Sequence, residues 1–113
     1  MTRKRVLSIV YAPNMLELRR MVLEQAGYDV VSVVSNEEVF DLEPPLDFDA
    51  VVIGHAAPKQ RRETMAAWIK QHVPNARIVA LQSANTERLQ LSDLCADPYE
   101  PEQWLSTVAR AVA

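Results

Sequence analysis

Five residues stand where this sequence is best placed to do chemistry: Tyr11, Ala12, Gly54, Gln82 and Asp97. Each comes within two residues of the end of an apolar run: Val6–Val10, Ala50–Ile53, Ile78–Leu81 or the weaker Leu94–Ala96. If the runs are parallel strands, their carboxyl ends gather the five, because open parallel sheets collect functional groups there. The residue types then argue against catalysis. Gly54 has no side chain, Ala12 offers a methyl, Tyr11 a neutral phenol, and Asp97 is the only carboxylate among them. No Ser/His/Asp set, Gly-rich phosphate loop, His-Glu-x-x-His helix or paired cysteine occurs anywhere in the chain. No catalytic residue, metal ligand or cofactor is therefore assigned.

Other chemistry-bearing residues have structural explanations. His55 follows Gly54 but has no visible basic cradle or acidic partner for a phosphohistidine role. His72 is expected to close a helix, where a cation complements the dipole. Cys95 lies inside an apolar run and reads as a small core hydrophobe. Lys59, Arg61, Arg62 and Lys70 are expected on one basic, solvated helix face, which would suit an acidic protein partner. Tyr11 is expected to fill space with its ring, and Asp97 to be a solvated loop carboxylate.

The elements that must position these residues alternate in type, which points to βα units around a parallel sheet. Val6–Val10 is the first strand. Asn14-Met15-Leu16-Glu17 has a capping-box pattern and opens a helix carrying Leu18, Met21 and Val22, ended by Gly27. Asp29–Val34 is the second strand. Ser35-Asn36-Glu37-Glu38 caps a short helix with Val39, Phe40 and Leu42, stopped by Pro44-Pro45. Ala50–Ile53 is the third strand, followed by a helix from about Gln60 to His72 whose buried stripe is Met65, Trp68, Ile69 and Val73. Arg77–Leu81 is the fourth strand and Leu94–Ala96 the fifth. The last helix starts at Pro101 and presents Trp104, Leu105, Val108 and Val112.

The frame resembles the receiver domain of bacterial response regulators. That family reads strand then acidic pair, strand then phospho-accepting Asp, strand then Thr, and strand then Lys-Pro. The corresponding stretches here are Tyr11-Ala12, Gly54-His55-Ala56-Ala57-Pro58, Gln82-Ser83 and Asp97-Pro98-Tyr99-Glu100-Pro101-Glu102. Gly27-Tyr28-Asp29-Val30 is a further local match, and the spacings are near those of the family, 43 residues from Tyr11 to Gly54 and 28 from Gly54 to Gln82. The resemblance implies an α/β, flavodoxin-like (CheY-like) three-layer fold with a five-stranded parallel sheet of order 2-1-3-4-5, as one domain over residues 1–113. Only fourteen residues, 83 to 96, separate Gln82 from Asp97. The fourth helix is thus short by roughly two turns at about 3.6 residues per turn, a stub around Thr86–Leu89 or absent.

The resemblance also implies that the switch is lost. The family's acidic pair holds Mg²⁺, its Asp accepts the phosphoryl group and its Lys neutralises it; Tyr11, Ala12, Gly54 and Asp97 stand at those positions. Gln82 replaces the Thr and Leu94 the aromatic that relays the signal, although Ser83 restores a hydroxyl if the alignment slips by one. The expected function is that of an atypical, non-phosphorylatable receiver-like module of two-component signalling, not an enzyme, binding protein through the helix four, strand five and helix five region. A homodimer or another protein would meet Trp104, Leu105, Val108, Ala109 and Val112, which span more of the last helix than one core stripe requires. Two alternatives stand: a ligand-sensing pseudo-receiver with a pocket near Tyr11, Gly54 and Gln82, and an unrelated small enzyme on the same sheet.

Bulk properties narrow the classes. The chain has 113 residues, 49% hydrophobic and 24% charged, an ordinary globular composition. A net charge of −3 gives no push toward nucleic acid or an anionic membrane. Thr2-Arg3-Lys4-Arg5 resembles the start of a signal peptide, but the apolar run after it is too short, and no stretch is expected to span a bilayer. The single cysteine excludes an intramolecular disulfide and suits the cytoplasm.

Overall fold

The computed structural model describes residues 3–83 and 85–113. Five parallel strands form one sheet of order β2-β1-β3-β4-β5, the order expected. They are β1 (Arg5–Val10), β2 (Asp29–Val34), β3 (Ala50–Ile53), β4 (Arg77–Leu81) and β5 (Leu94–Ala96). The helices are α1 (Leu16–Gln25), α2 (Ser35–Phe40), α3 (Lys59–His72) and α4 (Pro101–Val112). Strands β1, β3 and β4 are nearly continuous apolar runs because both of their faces are covered. On one face Leu7, Ile9, Val51, Ile53 and Ile78 pack with Val39 of α2 and with Met65 and Ile69 of α3. On the other Val6, Ala50, Val52, Val79 and Leu81 meet Leu23 of α1 and Trp104 and Val108 of α4. No helix among the described residues is long and apolar enough to cross a membrane.

Several local expectations are corrected. The Asn14 capping box does not form: Pro13–Met15 make a 3-10 turn, closed by Met15 N–H donating to the Ala12 carbonyl at 2.9 Å. Helix α1 then starts at Leu16 with no side-chain cap. Its buried residues are Arg19 and Leu23, while Leu18 and Met21 face solvent. In α2 the reciprocal half of a cap survives, with Val34 N–H donating to Glu38 Oε1 at 2.9 Å, and Ser35 takes a left-handed φ of 72°. Gly27 adopts the positive φ of 98° expected of it.

Among the described residues no helix lies between β4 and β5. Polar clamps hold that connection instead. Arg88 donates to the Ser92 and Asp93 carbonyls at 3.2 and 2.7 Å, and Asp93 accepts from Ile78 N–H at 2.7 Å and Lys70 Nζ at 2.6 Å. Leu89 anchors the segment, fully buried.

Candidate functional site

The strand ends do place Tyr11, Gly54, Gln82 and Asp97 along the carboxyl end of the sheet. Tyr11, leaving β1, turns toward α2, where its hydroxyl donates to Asn36 Oδ1 at 2.7 Å and Asn36 Nδ2 donates to the Arg61 carbonyl at 3.0 Å. Burial pushes the phenol pKa up to about 12, against the opposing pull of Arg62 and Arg61. Tyr11 is therefore a fixed neutral donor at ordinary pH. Ala12 contributes only its carbonyl, spent on the 3-10 turn.

Gly54 extends the β1–β3 ladder, its N–H donating to the Ile9 carbonyl at 2.8 Å. A Cβ here would lie 3.0 Å from the Ile9 oxygen and 3.1 Å from Arg19 Nη1. The glycine is favoured by this close approach rather than by its φ. Two arginines bracket it. Arg62 of α3 donates through Nε to the Gly54 carbonyl at 2.9 Å and through Nη2 to the Leu81 carbonyl at 3.1 Å, tying the ends of β3 and β4. Arg19 of α1 approaches from the other face. Both residues are 3% exposed.

Neither guanidinium has a carboxylate within ion-pair distance among the described residues, and Met1, Thr2 and Ala84 carry none. Burial lowers the pKa of each. The basic face expected of α3 is thus not one face. Lys59, Arg61 and Lys70 pair with Glu87, Glu37 and Asp93, and Arg62 points inward.

Arg19 Nη2 lies 3.4 Å from His55 Nδ1, and His55 Nε2 lies 3.2 Å from the Tyr99 hydroxyl. Arginine has only donors, so Nδ1 must accept. The neutral ring then carries its proton on Nε2 and donates it to Tyr99. Burial and the two guanidinium charges, opposed by Asp97, lower the His55 pKa and favour this neutral form. His72 closes α3 as expected; it also stacks on Trp68 at 4.2 Å, with Nδ1 donating to the Trp68 carbonyl at 3.0 Å.

The remaining positions are structural in geometry. Gln82 is buried and donates to the Thr86 carbonyl at 3.0 Å. Ser83 pairs with Thr86 Oγ1 at 2.7 Å. Asp97 accepts the Tyr99 N–H at 2.8 Å, closing a turn. Leu94 packs against the α1–α4 core, and the Cys95 sulfur lies 3.6 Å from Ser92 Oγ. Of the α4 residues offered as an interface, Ala109 alone is exposed. Trp104 and Val108 are buried, Leu105 and Val112 partly buried against the core, and the exposed positions are Pro101, Glu102, Gln103, Ser106, Ala109 and Arg110.

A divalent cation does not fit these residues. No cluster of three or more His, Cys, Asp or Glu suited to a metal exists among the described residues. Asp49, the other acid near β3, accepts the Arg5 N–H at 2.8 Å at the opposite edge of the sheet. The charge facing Gly54 is positive, where hard-cation sites require negative ligands.

No protein-family model matches the chain, and no curated protein does. Solved structures do. The response regulator TrrA of Thermotoga maritima, in complex with Mg²⁺-BeF, superposes with a TM-score of 0.78 at 21% identity, covering 97% of this chain and 99% of that one. A complex of the histidine kinase ThkA with TrrA gives 0.81 at 19% identity, covering 97% and 99%. A CheY-like receiver domain from Methylobacillus flagellatus gives 0.80 at 15% identity, covering 99% and 100%. With this sheet order and these neighbours, the chain has the CheY-like fold of response regulator receiver domains.

Proposed function

We propose that the chain is a non-phosphorylatable receiver-like module of two-component signalling, a single cytoplasmic domain that acts by binding protein and catalyses no reaction. The observation that carries this is Gly54. It occupies the acceptor position at the end of β3, has no nucleophile, and is hemmed in by the Ile9 carbonyl and a buried arginine. Aspartyl-phosphate chemistry needs a carboxylate there, and nearby acids to hold Mg²⁺. Two unpaired guanidinium groups take their place.

The contact surface narrows within the region expected. Since the apolar side chains of α4 face the sheet, the edge of β5 is the better contact, flanked by exposed Leu91 and Tyr99. An edge strand offers unpaired backbone groups to a partner. Cross-linking in a native extract, with mass spectrometry of the products, tests this. The same partner should be captured with and without Mg²⁺ and acetyl phosphate, and Leu91→Glu should weaken capture. Capture that appears only with the phosphodonor would refute the proposal.

A further inference from the structure

The disagreement between this site and a cation has a positive side. We propose that the cavity beside Arg62, at the carboxyl ends of β3 and β4, is a metal-independent binding site for an oxyanion, carried on a small phosphorylated or carboxylated molecule. This rests on the site not taking a phosphoryl group covalently. Burying a cation costs several kcal/mol unless it is compensated, and two are buried here against the same residue. Arg62 spends two of its five N–H donors on the Gly54 and Leu81 carbonyls. The rest are uncommitted among the described residues.

A cavity of about 210 Å³ opens beside Arg62, with His55, Gln82 and Tyr99 also in its wall. A single water needs only ~10–15 Å³. Arg19 does not line this cavity. It stands behind His55, holding the ring so that Nε2–H points to Tyr99. A second hollow of about 370 Å³ shares Gln82, Ser83 and Thr86 with the first and reaches Arg88 and Asp97 over the ends of β4 and β5. The oxyanion belongs in the first, where the positive charge lies, and the body of the ligand in the second, where donors and acceptors are mixed. Planar, forked guanidinium groups suit phosphate and carboxylate oxygens alike.

Amide NMR titrations with inorganic phosphate and with succinate, at constant ionic strength set by chloride, test this. Saturable shifts at Gly54, His55, Gln82 and Ser83 are expected with at least one probe, unchanged by a chelator and reversed on dialysis. Saturation with phosphate alone assigns a phosphorylated ligand, and with succinate alone a carboxylate. Arg62→Gln should weaken binding about tenfold or more, the effect of losing one charge-assisted contact. If that variant does not fold, Tyr99→Ala serves, since Tyr99 is 73% exposed and contributes little to the core; it should weaken binding as well. Shifts that do not saturate, that chloride reproduces, that need Mg²⁺, or that both variants leave intact would overturn the site. A covalent adduct detected by mass would instead refute the non-phosphorylatable function, so the two failures are distinguishable.

Discussion

Replacing Gly54 by Ala and by Asp separates the steric demand at the end of β3 from its electrostatics. Both substitutions add a Cβ 3.0 Å from the Ile9 carbonyl oxygen, 3.1 Å from Arg19 Nη1 and 3.5 Å from Val10 Cα. The Ile9 oxygen is backbone and already accepts the Gly54 N–H, so it yields only by straining the β1–β3 ladder. Overpacking of this kind costs about 1–3 kcal/mol, which is the expected loss for Gly54→Ala. Gly54→Asp carries the same Cβ and must also desolvate a carboxylate, at several kcal/mol. It gains attraction to two buried cations, each roughly 4 kcal/mol at 4 Å and an effective dielectric constant of about 20. The Asp variant should therefore be more stable than the Ala variant. In an Arg19→Leu background the order should reverse, with a coupling energy of about 1–3 kcal/mol. Urea unfolding followed by far-UV circular dichroism and tryptophan fluorescence gives all four differences. An Asp variant no more stable than Ala, with no coupling to Arg19, would show that the two arginines set no positive field at Gly54.

Further outcomes are expected. The His55 pKa is lowered from the ordinary 6.5, so the unfolded chain binds the additional proton between the folded value and 6.5. Stability from this group is complete above that window and falls as pH drops through it; urea midpoints against pH should show the slope, and His55→Gln should remove it. Tyr11→Phe leaves Asn36 Oδ1 without its donor and should cost about 1–2 kcal/mol by the same assay. Trp104→Ala should cost about 3–5 kcal/mol, whereas Ala109→Lys on the exposed side of α4 should stay within about 0.5 kcal/mol of the parent. A neutral Trp104→Ala would contradict its place in the core.

The strands were legible because their apolar runs are nearly unbroken: β2, β3, β4 and β5 have the boundaries expected of them. The faces of the helices were less so. In Leu16-Glu17-Leu18-Arg19-Arg20-Met21-Val22-Leu23 two stripes compete, and arginine is rarely buried, so Leu18 and Met21 looked like the core side. The buried stripe runs instead through Arg19 and Leu23. Arg62 was hidden likewise in a run of basic residues. Its spacing carried the signal, since Arg62, Met65, Ala66 and Ile69 follow the i, i+3, i+4, i+7 pattern of one helix face and all are buried. On α4 the apolar positions looked too many for one face. They are absorbed because the helix lies against β3, β4 and β5 together. That Tyr11, Ala12 and Gly54 bring no carboxylate to the strand ends was visible in the residues themselves. The two arginines beside Gly54 became visible only when α1 and α3 were packed on opposite faces of the sheet.

The central claim is that this receiver fold carries no phosphoryl group. Intact mass spectrometry after incubation with Mg²⁺ and acetyl phosphate tests it most directly, with Gly54→Asp measured in parallel. An unchanged mass is predicted for both proteins, because the variant regains an acceptor but neither the acidic pair at Tyr11 and Ala12 nor a lysine at Asp97. An acid-labile gain of one phosphoryl group on the parent chain would contradict the claim.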